Sequence, residues 1–110
     1  MKEIVREIRR VVGRSPLSVV LFGSRARGEA KPGSDIDIFV LVNARDKNSS
    51  VRNVESIVES IRDRHGLKAD ILIETPGSLA AMKRKRSPLW KALAKEGEIL
   101  YGAPLKEIAG

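Results

Sequence analysis

Apolar residues along this chain fall into patches with helical and strand-like spacing. Over residues 2–12, Ile4, Val5, Ile8, Val11 and Val12 form one helical stripe, which predicts a helix stopped at Gly13 and a turn at Ser15-Pro16. Residues 17–22 are a short, nearly continuous apolar run rich in β-branched side chains, the pattern of a strand covered on both faces. After Gly23-Ser24, a short helix is expected over residues 25–30 and a loop over 31–34. Residues 35–42 predict a second strand, with Ile36, Ile38, Val40 and Val42 on one face and Asp35, Asp37, Phe39 and Leu41 on the other.

A polar connection over residues 43–50 offers Asn48 or Ser49 as a cap for a second helix. That helix carries Val51, Val54, Ile57, Val58 and Ile61 and closes at His65-Gly66. Residues 68–75 predict a third strand stopped by Pro76-Gly77, and 78–86 a further helix. Ser87-Pro88 then restarts a helix, Ser as N-cap and Pro in the first turn, that ends near Gly97. Residues 98–101 predict a short edge strand, after which the chain should fray. This order, α-β-α-β-α-β-α-β, describes a small α/β or α+β domain.

Length and charge narrow the function. The 110 residues suit one domain, residues 1–110, able to bury a core with little surplus stability. No apolar run approaches the ~18 residues of a membrane span, and no signal-peptide stretch follows Met1, so a cytoplasmic chain with no membrane partner is expected. Cysteine is absent and His65 is the sole histidine, which removes disulfides, thiolate or multi-histidine metal sites, and Ser-His-Asp chemistry. A net charge of +7 favours anionic partners. Aromatics are only 4%, too few for base-stacking platforms, so direct nucleic-acid binding is disfavoured and the charge reads as a field for phosphates.

The chemistry concentrates between Gly23 and Val42. A strand running into Gly23-Ser24 and then turning would aim backbone N–H groups outward as an anion nest, with the Ser24 hydroxyl as one more donor. Taken alone, Gly-Ser after a strand is usually a turn and nothing more. Asp35 and Asp37 change this, because two residues apart on a strand their Cα atoms lie ~6.6 Å apart on one face. Two carboxylate charges ~5 Å apart repel by about 3 kcal/mol at an effective dielectric of 20. A divalent cation relieves that repulsion, and magnesium takes one or two carboxylates plus waters and substrate phosphates. The plainer alternative is a turn cap at Asp35 and an arginine partner for Asp37. Asp70 supplies a third carboxylate if its strand pairs beside the second one, completing a site of the kind that holds two metals ~3.5–4 Å apart. Glu74, on the same face, reads as a salt-bridge residue.

Gly23-Ser24, ten intervening residues and then Asp35-Ile36-Asp37 resemble the Gly-Ser-x10-Asp-x-Asp motif of the DNA polymerase β-like nucleotidyltransferase superfamily. The stretch GSRARGEAKPGSDIDIFV is similar to its minimal nucleotidyltransferase (MNT) group, including Ala26-Arg27-Gly28, and the likeness runs through Asp70 to residues 95–101. The resemblance implies a small mixed sheet flanked by helices. It implies that Asp35, Asp37 and Asp70 bind two magnesium ions, for which manganese can substitute, and that Asp70 helps activate the attacking hydroxyl. Gly23, Ser24 and the nearby backbone would hold the phosphates of ATP or another NTP, with Arg25 and Arg27 adding contacts.

MNT proteins often act as antitoxins for a helical HEPN protein, so the resemblance also implies transfer of AMP to a HEPN-type partner. Three readings compete. One is an idle module that blocks the HEPN partner sterically, against which the intact Ser24 and aspartates argue. Another is a basic nucleic-acid-binding domain, which leaves the carboxylates unexplained. The last is an aminoglycoside-type transferase, which needs a further helical domain. Lys83 to Arg86 form a basic run that is either a solvated face or a docking patch.

Overall fold

The computed structural model describes residues 2–12 and 16–109. The expected helix stop at Gly13 and the turn residue Ser15 lie outside them. Helix α1 (Lys2–Val11) leads into β1 (Ser18–Phe22) and then directly into β2 (Ile36–Leu41). Helices α2 (Lys47–Arg52) and α3 (Val54–His65) cross over to β3 (Ala69–Glu74). Helices α4 (Pro76–Arg84) and α5 (Pro88–Glu96), strand β4 (Glu98–Gly102) and helix α6 (Leu105–Ala109) complete the order. The strands form one mixed sheet, β3-β2-β1-β4, with β2 and β3 parallel and the other pairs antiparallel. No described helix is long and apolar enough to cross a membrane.

The alternation along β2 sorts the core as expected. Ile36, Ile38 and Val40 pack with Ile4 and Ile8 of α1 and with Ile57 and Ile61 of α3. Phe39 and Leu41 point the other way, onto Leu79 of α4, Trp90 and Leu93 of α5 and Leu105 of α6. The sheet is therefore clad on both faces, which is why its central strands tolerate long apolar runs.

Several local expectations need correction. Residues 25–30 are not a helix. Arg27 N–H donates to Gly23 O, Gly28 N–H to Arg25 O and Glu29 N–H to Ser24 O, so the spacing shifts from four to three to five residues before it can repeat. The second helix is divided at Asn53, which sits at φ −96°, ψ 0°. Neither Asn48 nor Ser49 caps it; both lie inside α2, and the hydroxyls of Ser49 and Ser50 donate back to Asp46 O. Helix α4 starts at Pro76, earlier than expected, because Thr75 Oγ1 accepts from Ser78 N–H at 3.3 Å and Pro needs no N–H partner in the first turn. The described residues after Tyr101 do not fray: α6 buries Leu105, with Ile108 and Ala109 packed on the same cluster. Ser87 caps α5 as read, accepting from Trp90 N–H at 3.1 Å, and Gly66 closes α3 in the left-handed conformation.

Candidate active site

Phe22 of β1 pairs with Asp37 of β2, which pairs in turn with Asp70 of β3. One row across the sheet thus carries two of the expected carboxylates and ends at the Gly23 turn. Parallel pairing of β2 with β3 brings Asp70 beside Asp37 although 33 positions separate them. Asp35 lies just ahead of the ladder, since β2 begins at Ile36. Asp70 is exposed, while Asp35 and Asp37 are half-buried.

Gly23 does more than permit a turn. Its φ is +76°, and a Cβ there would land on Asp37 Oδ2 and lie 3.0 Å from Asp37 Cγ. The Asp37 carboxylate therefore rests against the bare Gly23 backbone, and only glycine leaves it that room. Beyond Gly23, the amides of Ser24, Arg25 and Ala26 have no backbone acceptor among the described residues. Three successive free N–H groups beside a glycine have the makings of an anion nest.

Asp37 is the electrostatic centre of the corner. Burial pushes its carboxyl above the usual range, and the charges of Asp70 and then Asp35 push the same way, while Arg27 opposes them. A half-buried carboxylate crowded by two others is a position that gains from a hard cation with oxygen preference. Among the described residues, no three acidic or histidine side chains converge into a metal cage by themselves. A hexacoordinate cation that keeps waters and takes phosphate oxygens does not require such a cage.

The two arginines are already engaged. Arg25 Nη2 donates to Ser34 O at 3.2 Å, strapping the turn to the loop before Asp35, and its Nε is buried without a partner. Arg27 donates through Nε to Glu29 Oε2 and through Nη1 to both Glu96 oxygens, each at 3.1 Å. Glu96 is the residue that sequence reasoning missed. It lies 69 positions from Arg27, at the C-terminal end of α5, where the helix dipole disfavours a carboxylate. That misplaced charge was the only available signal.

Residues outside the corner follow simpler rules. Glu74 lies 3.8 Å from Lys47 Nζ, the ion pair expected of it. His65 sits in the last turn of α3, and Lys83 lies 6.0 Å from the Trp90 ring centroid.

A family model described as a nucleotidyltransferase domain matches residues 1–100. A candidate protein adenylyltransferase of Methanocaldococcus jannaschii is 34% identical over 73 residues, covering 66% of this chain and 70% of that protein. A toxin–antitoxin structure with AMP-PNP aligns over 98% of this chain and 80% of its own, with a TM-score of 0.63 and 19% identity. A mutant MntA–HpeT toxin–antitoxin aligns over 98% and 79%, with a TM-score of 0.65 and 17% identity. A candidate nucleotidyltransferase of Sulfolobus solfataricus aligns over 92% and 76%, with a TM-score of 0.56 and 23% identity. At these identities the three structures establish the fold.

Proposed function

Because the chain belongs to the nucleotidyltransferase domain family and is a nucleotidyltransferase, we propose that it moves AMP from ATP to a hydroxyl of a protein partner of the HEPN type. The observation that carries the reading is the corner itself, with the Asp37 carboxylate against the Gly23 backbone, in register with Asp70 and flanked by free amides. The name of the Methanocaldococcus relative supports a protein acceptor, and the AMP-PNP and toxin–antitoxin descriptions of the structural neighbours support ATP and a toxin partner.

In this reading Asp35, Asp37 and Asp70 hold magnesium, which supplies charge neutralisation at the phosphates. The amides of Ser24, Arg25 and Ala26 and the Ser24 hydroxyl bind the β- and γ-phosphates. Arg27 sits close enough to oppose the raised pKa of Asp37 and adds positive charge at the same end of the sheet. A carboxylate oxygen of Asp70, the most exposed of the three, takes the proton of the acceptor hydroxyl. The oxygen then bonds to the α-phosphorus, the bond from that phosphorus to the bridging oxygen breaks, and pyrophosphate leaves. Positioning and electrostatics do the catalytic work, with no covalent enzyme intermediate required.

The test is incubation of the purified chain with each labelled NTP, magnesium and a cognate helical protein encoded beside it, followed by intact-mass measurement. The expected result is one or more AMP additions to the partner, abolished by Asp37→Asn. A partner that is bound and silenced yet unmodified overturns the transfer reading and leaves steric blocking. The tight ion pairs that engage Arg27 are the observation on that side.

A further inference from the structure

Strand β4 ends the sheet, and its outer edge has no strand neighbour among the described residues. It contains neither Lys nor Pro, the usual residues that keep an edge from pairing, and carries only a bulge at Leu100. Two clefts open on its opposite faces at consecutive residues. On the α1 side, a cleft of about 300 Å³ is lined by Lys2, Arg6 and Arg9 over an apolar floor of Val5 and Leu100. On the α5–α6 side, a cleft of about 170 Å³ is formed by Trp90, Leu93, Ile99, Pro104 and Leu105, with Lys106 as its one charged lining residue. Ile99 is 40% exposed within it. One cleft carries three cations and the other is apolar apart from Lys106, one step apart along an open edge.

We propose that β4 is the docking edge for an extended segment of a protein partner in which acidic and apolar residues alternate. Side chains of an extended segment point alternately to opposite faces, so one set reaches the cations of α1 and the other fills the apolar cleft. Lys2, Arg6 and Arg9 are exposed and lie on one face of α1, and no described carboxylate forms an ion pair with them. Charge argues against a second copy of this chain as the occupant. Pairing β4 with itself would gather six of these cations against the two Glu98 side chains. Nucleic acid is disfavoured by the same cleft, because the guanidinium of Arg9 already covers the Tyr101 ring, 4.3 Å from its centroid, and removes the nearest stacking platform. The edge also points at the chemistry: Glu98, the first residue of β4, pairs with Leu21, two positions before Gly23. A docked segment therefore runs toward the nucleotide corner. The surface rests on the adenylyltransferase reading only for the role of its occupant.

The probe is a fluorescent, end-blocked peptide of alternating glutamate and valine, titrated with the full chain at low salt and followed by anisotropy. Binding is expected to weaken tenfold or more in Arg6→Glu and, independently, in Ile99→Lys, with β4 amides gaining hydrogen-exchange protection in the wild type. Both positions are exposed, and equal ATP binding by the variants shows that they fold. The lysine–valine peptide should not bind. Equal affinity for wild type and both variants, tighter binding of oligoadenylate than of the peptide, or a dimer in sedimentation that Ile99→Lys dissolves would each overturn the proposal. A chain that binds the peptide yet transfers no AMP sinks the reaction and leaves the docking edge standing. Undiminished partner modification by Ile99→Lys does the reverse.

Discussion

Two shielded carboxylates in this molecule have opposite surroundings. Glu7 of α1 is 5% exposed and takes Arg10 Nη2 at 2.8 Å and Arg64 Nη1 at 2.6 Å, the second reaching across from α3. The hydrogen bond from Arg10 holds its carboxyl below the usual range; burial opposes this, and Ser60 and the two arginine charges assist it. Among the described residues Asp37 has no such ion pair. Burial raises its pKa, and the charges of Asp70 and Asp35 raise it further against the opposing charge of Arg27. The first arrangement satisfies a charge and joins two helices. The second leaves a charge that a cation would relieve, which is the property the proposed site rests on.

That contrast breaks most sharply in turnover. Asp37→Asn and Asp70→Asn should each cut AMP transfer by about 10²-fold or more, the scale of removing one group that meets transition-state charge. Glu7→Gln should leave transfer per folded molecule unchanged, and pyrophosphate release is the measurement. A Glu7→Gln loss comparable to that of Asp37→Asn would erase the distinction.

Stability should reverse the ranking. Glu7→Gln is expected to cost about 2 kcal/mol in urea unfolding, less than a fully buried pair because both arginines are 62% exposed. Since the folded-state pKa of Glu7 is lowered, its contribution is complete above the ordinary value of 4.5 and disappears as pH falls through the folded value. Asp37→Asn, measured in chelator, should instead raise the melting temperature at pH 7. A raised carboxyl stabilises only while protonated, so the gain should shrink as pH falls toward 3.8 and vanish below it.

Gly23→Ala sharpens the comparison from the backbone side. A positive φ alone costs a non-glycine residue about 1–2 kcal/mol, and overlap with Asp37 adds to it. In an Asp37→Ala background the overlap is relieved and the penalty should fall toward the backbone cost alone. Full additivity in this double-mutant cycle would show that the carboxylate does not rest on the glycine. The smallest effect is expected for Glu96→Gln: no detectable change in melting temperature, because Arg27 is exposed, but an altered KM for ATP if Arg27 meets the phosphates.

The parts legible in the sequence are those governed by period and spacing. Alternation along β2 foretold which side chains meet α1 and α3 and which meet α4 to α6, and the third strand does pair beside the second as the reading of Asp70 required, in register with Asp37. What stayed hidden depends on contacts between distant segments. Nothing local marks Glu96 as the partner of Arg27, and nothing near Gly23 says that the space its missing Cβ leaves belongs to Asp37. Residues 25–30 misled because their composition permits a helix, whereas their hydrogen bonds never settle into one repeat. Leu105 and Ile108 give the short tail an apolar face, but five residues are too few for a helical period to stand out before the cluster they pack on is known.

Pairing of Asp37 with Asp70 has a consequence for how this chain can vary. Neighbours in β3 alternate strictly, with Ala69, Ile71 and Ile73 buried and Asp70 and Leu72 exposed. Deleting or inserting one residue within β3 would turn Ile71 to solvent and Asp70 into the core at a stroke. Length changes in the crossover outside the ladder, at the exposed residues 43–45 or at Gly66, carry no such penalty. Fold and the proposed chemistry therefore share a reading frame across this strand, and a library of single-residue deletions should contain no member that slips β3 and survives as a soluble but inactive protein.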